Sequence, residues 1–127
     1  MPASPAGVVK LSGHHMGSSN DGQREDLTPP TVAVGLARVV LHLPESGSLK
    51  AKRHVISGLL RRVRAEFQVA AAEVGERDRW QLAELAIACV SADSRHVDEV
   101  LAAALSYIES HSDGARITDV STELIRL

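Results

Sequence analysis

Residues 31–67 read TVAVGLARVVLHLPESGSLKAKRHVISGLLRRVRAEF, and this stretch holds a strand pattern followed by a helix pattern. Its first part, residues 31–43, is β-branched and apolar on both faces, with Arg38 and His42 as the polar exceptions. Such a run predicts a largely buried strand, and Pro44 ends it. The fold therefore starts with a buried strand that leads into a helix.

The helix pattern at residues 48–67 has one apolar face and one basic face. At 3.6 residues per turn, the apolar face consists of Leu49, Ile56, Leu59, Leu60, Val63 and Phe67. The opposite face and its flanks carry Lys50, Lys52, Arg53, His54, Ser57, Arg61, Arg62 and Arg64. No carboxylate precedes Glu66 in this helix, although the whole chain has a formal net charge of −2. Positive charge is thus concentrated on one surface, which favours an anionic partner.

The remaining elements complete a repeated strand–helix–strand order. We expect strands at residues 68–74, 80–90 and 115–125, and a second helix at residues 94–110. Ser48 and Asp93 are the expected N-caps of the two helices. The order βαββαβ with right-handed crossovers predicts an α+β ferredoxin-like sandwich, in which a four-stranded antiparallel sheet carries both helices on one face. The first and third strands are central in that topology, and they are also the two most apolar strands of this chain.

The composition is that of a soluble cytoplasmic protein. The chain has 127 residues, of which 44% are hydrophobic and 24% charged, and this suits one domain. Its one cysteine, Cys89, cannot form an internal disulfide, so a reducing compartment is favoured, and we expect its side chain in the core. No apolar run approaches the roughly 20 residues that span a bilayer, and no secretory signal is evident at the N-terminus.

Residues 1–30 differ from the rest of the chain. They are rich in Pro, Gly, Ser and Asn, show no sustained period, and end in Pro29 and Pro30. A segment of this composition buries too little apolar surface to offset its ordering entropy, so we expect a disordered tail before a domain at residues 31–127. His14 and His15 lie in this tail, and without further ligands we expect them to be solvated rather than to bind a metal.

Several short blocks of the chain resemble the YlxP-like family, which consists of small bacterial proteins with a domain of unknown function. The blocks lie at residues 42–44, 48–50 with 52–53, 72–75, 78 with 80–81, and 91–97, and the basic block after the first strand is the most specific. The resemblance runs from Val32 to the C-terminus and leaves residues 1–30 outside it. It implies a ferredoxin-like fold, a location in the bacterial cytosol, and a link to ribosome assembly or translation. It implies no reaction, cofactor or catalytic residue.

The basic helix is the predicted binding site. Its expected RNA- or anion-binding residues are Lys50, Lys52, Arg53, Arg61, Arg62 and Arg64. The first three lie near the helix start, where the macrodipole disfavours each cation by up to about 1 kcal/mol. Cations placed there despite this cost, beside free backbone N–H groups, favour a phosphate or carboxylate ligand. The competing interpretation is a solvated face whose long side chains cover the edge of the core.

The length and composition of this surface point to one class of nucleic acid. A basic surface roughly 20 Å long suits several backbone phosphates. Aromatic residues make up only 2% of the chain, so recognition of single-stranded bases by stacking is disfavoured. We therefore expect structured or ribosomal RNA, recognised by shape and charge.

The open face of the sheet predicts a homodimer, and it also supplies the alternative hypothesis, a homodimeric protein-interaction module without a nucleic-acid role. Both sides of the first and third strands are apolar or small, yet the helices cover only one side. The bare face would exceed the apolar patch that monomers usually expose, and a second copy packed sheet to sheet would cover it. The competing interpretation is that Arg38, His42 and Glu84 keep this face hydrated. A third hypothesis is a phosphometabolite site at the Ser48 end of the helix.

No catalytic site is predicted. The candidate general bases and carboxylates are His42, His54, His96, Glu73 and Glu84. No nucleophile motif, metal-ligand spacing or Gly-rich phosphate loop accompanies them, so we expect a non-enzymatic protein without a cofactor or metal. Trp80 is expected to pack at the hairpin or, where it is exposed, to anchor a contact with a partner.

Overall fold

A computed structural model describes residues 31–127, so the expected disorder of residues 1–30 and the solvated histidines at positions 14 and 15 lie outside the described residues. The elements are β1 (Ala33–His42), α1 (Leu49–Phe67), β2 (Ala70–Gly75), β3 (Leu82–Ser91), α2 (Ser94–His111) and β4 (Arg116–Arg126). The strands form one sheet in the order β2-β3-β1-β4, and all neighbours are antiparallel. The fold is the predicted ferredoxin-like sandwich, with β1 and β3 in the centre.

Both helices begin at the predicted N-caps. The Ser48 hydroxyl accepts a hydrogen bond of 3.0 Å from the backbone N–H of Ala51, and the Asp93 carboxylate accepts one of 3.0 Å from that of Arg95. Each bond satisfies a backbone donor that has no partner within its helix. Across residues 31–127, neither helix is long and apolar enough to cross a membrane.

The hairpin strands β2 and β3 each begin two residues later than predicted, and backbone geometry explains both shifts. Gln68 adopts a left-handed conformation with φ of 54° and donates its N–H to the Arg64 carbonyl at 2.9 Å, so it caps α1 instead of starting β2. Between β2 and β3 the chain turns at Glu76, whose φ is 58°, and pairing with β1 begins only at Leu82. Trp80 therefore lies in the turn with 54% of its surface exposed. Its predicted place in the strand is wrong, and its exposure is the condition under which we expect it to anchor a contact with a partner.

The core lies between the helices and one face of the sheet, as the strand patterns predict. Its members from β1 and β3 are Ala33, Ala37, Val39, Leu41, Ala83, Leu85, Ile87 and Cys89, and its members from the helices include Ile56, Leu59, Val63, Val97, Leu101 and Ile108. At Gly35 an added Cβ would overlap Val97 and Leu101, so the missing side chain lets α2 pack closely on β1. Burial raises the pKa of the Cys89 thiol, which is consistent with a small core side chain.

The open face of the sheet, which carries no helix, combines apolar and charged side chains. Leu36, Val90 and Ile125 are 37%, 68% and 38% exposed, respectively. In the middle of this face, Arg38 Nε lies 3.0 Å from Glu84 Oε2. The face therefore carries both the uncovered apolar residues and the charged pair on which the two competing interpretations depend.

Candidate nucleic-acid interface

Five of the six predicted binding residues are exposed on α1: Lys50, Arg53, Arg61, Arg62 and Arg64. We call these five residues the basic face. Four of them, all except Arg62, lie within one stripe because their spacings match the helical period. From Lys50 to Arg64 the stripe is about 21 Å long, at 1.5 Å of rise per residue. The polar residues His54 and Ser57 lie between these cations and are also exposed.

The charges of the basic face are not neutralised locally. Ion pairs between residues 31 and 127 join Arg38 to Glu84, Lys52 to Glu73, and Arg79 to Glu76. None of them involves a member of the basic face. The five cations are therefore available to an external anion as far as this part of the chain is concerned.

Lys52 does not belong to the binding surface, contrary to the sequence-based prediction. Its side chain is fully buried. The ammonium group donates hydrogen bonds to the backbone carbonyls of Glu76 at 2.6 Å and Leu82 at 3.0 Å. It also lies 3.0 Å from Glu73 Oε2, an oxygen that has no donor in hydrogen-bond geometry among the described residues. Lys52 thus holds α1 to both sides of the turn between β2 and β3, and its charge is compensated inside the protein.

This burial changes the predicted anion cradle at the start of α1. Of its three expected cations, only Lys50 and Arg53 face solvent. The hydroxyl of Ser48 already binds the Ala51 N–H, so one of the free backbone donors is used within the chain. The start of α1 therefore offers a phosphometabolite one cation and one backbone donor fewer than predicted, whereas the cations in the middle of α1 remain exposed.

Two arginines of the basic face are held in place by backbone carbonyls. Arg64 Nε donates to the carbonyl of Ala71 at 3.0 Å, and Arg62 Nη2 donates to that of His111 at 3.3 Å. A guanidinium carries five N–H donors, so each group keeps donors for an external ligand. Holding a long side chain before binding lowers the entropy that binding would otherwise cost.

The candidate catalytic residues lie on several different elements of the structure. His42 belongs to β1, His54 to α1 and His96 to α2. The carboxylates of Glu73 and Glu84 are each paired with a cation, namely Lys52 and Arg38. Within the described range 31–127, no three side chains of the His, Cys, Asp and Glu types gather in a way that would hold a metal ion.

Comparison with known proteins identifies the family. The family model described as "Protein of unknown function (DUF503)" matches residues 34–122. The chain belongs to this family. It is also 35% identical over 77 residues to "Uncharacterized protein YlxP" of Bacillus subtilis (strain 168), a match that covers 61% of this chain and 84% of that protein. The resemblance read from the sequence blocks is thereby confirmed.

Two solved structures of designed proteins are similar to the chain. "De novo designed protein Foldit4" has a TM-score of 0.46 at 15% identity, covering 74% of this chain and 96% of that chain. "De novo designed protein LFR1 1 with ferredoxin fold" has a TM-score of 0.38 at 17% identity, covering 76% of this chain and 83% of that chain. Neither likeness carries a functional argument, and the fold follows from the strand order itself.

Proposed function

We propose that this protein is a non-enzymatic accessory protein that binds structured RNA or a ribonucleoprotein through the basic face, in ribosome assembly or translation. The observation that carries the proposal is the set of five exposed cations on one helix, none of them paired with a carboxylate of residues 31–127. Cations arranged in this way displace condensed counterions from a phosphate backbone, and this release drives binding. With such a partner, the location that we propose is the cytoplasm.

The aromatic side chains support recognition of structured rather than single-stranded RNA. Phe67 and Tyr107 pack edge to face with ring centroids 5.6 Å apart, and Tyr107 stacks on His111 at 4.0 Å. The central strands β1 and β3 contain no Phe, Tyr or Trp on which a base would stack. Among the three aromatic residues of the chain, only Trp80 is exposed. Phosphate contacts are therefore the main source of affinity in this proposal.

The salt dependence of RNA binding tests this function. The purified protein is titrated against a fluorescent RNA hairpin, and the Kd is measured by anisotropy at several salt concentrations. Each neutralised phosphate contributes about 0.7–0.9 to the slope of log Kd against log salt, so four or five contacts predict a slope of about 3–4.5. Absence of binding at low salt, or a Kd that does not change with salt, would contradict the proposal.

A homodimer that forms through the open face is a second proposal, favoured by the exposure of Leu36, Val90 and Ile125. Packing two such faces together would bury these side chains, and the Arg38–Glu84 pairs would lie near the two-fold axis. This proposal is independent of RNA binding, because the open face and α1 lie on opposite sides of the sheet.

Sedimentation velocity over a range of protein concentrations tests the dimer. The wild-type protein should sediment as a dimer at high concentration, and the variant Leu36→Asp/Val90→Asp should remain a monomer. Ala103→Asp, at an exposed position of α2, is the matched control and should still dimerise. A wild-type protein that is monomeric at every concentration would refute the dimer.

A further inference from the structure

A polar cleft lies between α1 and the end of α2. It has a volume of about 230 Å³, and Gly58 is among its lining residues. Its charged and polar lining consists of His54, Ser57, Arg61, Arg62, His111 and Asp113. The cleft joins the middle of the basic face, so a nucleic acid that follows this face would pass over it.

The absence of a side chain at Gly58 shapes the cleft. A Cβ added there would lie 3.3 Å from Arg62 Nη1 and 3.9 Å from Arg61 Nη2. Both guanidinium groups therefore lie over the same point of the backbone, and these two nitrogens are within about 7 Å of each other. A phosphate group bridges such a span, because its oxygens accept charge-assisted bonds of about 2.7–2.9 Å from each arginine.

Glycine at this position has a cost to the helix itself. Gly58 lies in the interior of α1, where glycine is about 0.5–1 kcal/mol less favourable than alanine. The backbone is ordinary helix, so no special φ requires glycine here. The missing side chain leaves room for both guanidinium groups beside Gly58, and two positive groups around one space favour an anion between them.

Contacts at the end of α2 hold one side of the cleft rigid. The His111 carbonyl accepts the hydrogen bond from Arg62 Nη2. The His111 ring is stacked on Tyr107, and its Nδ1 lies 2.9 Å from Ser110 Oγ and 3.0 Å from the Tyr107 carbonyl. Arg62 and His111 are therefore positioned before a ligand arrives, which lowers the entropic cost of binding.

We propose that this cleft binds one phosphodiester group of the RNA backbone. Arg61 and Arg62 hold its oxygens, while Ser57 and the two imidazoles line the pocket. The two guanidinium charges outweigh the single carboxylate of Asp113, so an anion is favoured. The inference rests on the proposed RNA-binding function, and adds that a particular cleft, rather than the diffuse charge of α1, supplies a main point of contact.

The variant Gly58→Leu tests the cleft because it fills the space and keeps every charge. Leucine favours the helix, and the atoms that it meets are the flexible ends of arginine side chains. Loss of charge-assisted bonds to one phosphate should weaken the Kd for the RNA hairpin by about tenfold or more. Ala103→Leu, at an exposed position of α2 outside the cleft, is the matched control and should bind as the wild type does.

A second variant is expected to change the affinity in the opposite direction. Asp113 has φ of 58°, a conformation that asparagine also tolerates, so Asp113→Asn removes the opposing carboxylate and keeps the turn. We expect this variant to bind the hairpin several-fold more tightly. Thermal unfolding of each variant shows whether it is folded under the binding conditions.

The outcomes separate the cleft from the wider proposal. Normal binding by Gly58→Leu, together with salt-sensitive binding by the wild type, would overturn the cleft and leave the RNA-binding function standing. A wild-type protein that does not bind RNA would overturn both. A second RNA hairpin that lacks a terminal phosphate shows whether the cleft binds a backbone phosphodiester or a terminal phosphate. If Gly58→Leu loses the same affinity for the hairpins with and without a terminal phosphate, the result supports a backbone site. A loss of affinity confined to the terminally phosphorylated hairpin contradicts it.

Discussion

Replacing Lys52 by methionine should lower the free energy of unfolding by about 3 kcal/mol. Removing one partner from a buried ion pair costs about 3–5 kcal/mol, and the lower end applies because the Glu73 side chain is 16% exposed and keeps some contact with water. Methionine preserves the apolar stem but leaves the carbonyls of Glu76 and Leu82 without their donor. Chemical denaturation with urea measures the change.

Lys50→Met is the matched control for this prediction. Lys50 lies two positions earlier in the same helix and is exposed, so its replacement should change the stability by less than about 0.5 kcal/mol. In the double variant Lys52→Met/Glu73→Met no uncompensated carboxylate remains, and we expect a smaller loss than the sum of the two single variants. Equal stability of Lys52→Met and Lys50→Met would show that the buried contacts do not hold the hairpin to α1.

The second large effect concerns binding rather than folding. The variant Lys50→Glu/Arg53→Glu/Arg61→Glu reverses three exposed charges along the stripe and touches no buried contact. It should weaken the Kd for the RNA hairpin by about 100-fold or more, because three phosphate contacts become repulsive. Anisotropy at low salt measures the loss, and thermal unfolding should show a folded protein.

The control for this variant reverses three exposed cations outside α1, as Arg77→Glu/Arg95→Glu/Arg116→Glu. Both triple variants change the net charge by the same amount, so long-range attraction between protein and RNA falls equally in the two. We expect the control to lose much less affinity than the α1 variant. Equal losses would show that the total charge, rather than the basic face, determines binding.

Local pattern was sufficient to predict the fold. The strands β1 and β3 alternate between core and open face as their sequences indicate, and both N-caps carry side chains suited to the position. The order βαββαβ then leaves few topologies when crossovers are right-handed. The ends of the helices and strands were less predictable, because Gln68 and Glu76 adopt left-handed conformations that secondary-structure propensities do not predict.

The burial of Lys52 had a signal in the sequence that its charge obscured. Lys52 precedes Ile56, Leu59 and Val63 by four, seven and eleven residues, the spacing of a single helix face. That face is the one buried in the core. A lysine at the centre of an apolar stripe requires internal acceptors, and the carboxylate of Glu73 and the hairpin carbonyls supply them.

The cleft at Gly58 could not be predicted from local pattern. It forms because the end of α2 lies beside the middle of α1, which brings His111 and Asp113 next to residues about fifty positions earlier in the chain. Helix propensity alone marks Gly58 as unfavourable but does not say which groups approach it. The exposure of Trp80 likewise depends on where the hairpin turns rather than on its own neighbours.

Phosphate contacts by the basic face hold the RNA in the proposed function, and the slope of log Kd against log salt measures those contacts directly. The slope of log Kd against log salt is determined for the wild type and for Arg53→Gln/Arg61→Gln with the same hairpin. Removing two phosphate contacts should lower the slope by about 1.5–2. An unchanged slope in the double variant would contradict the account, because the RNA would then contact another part of the protein.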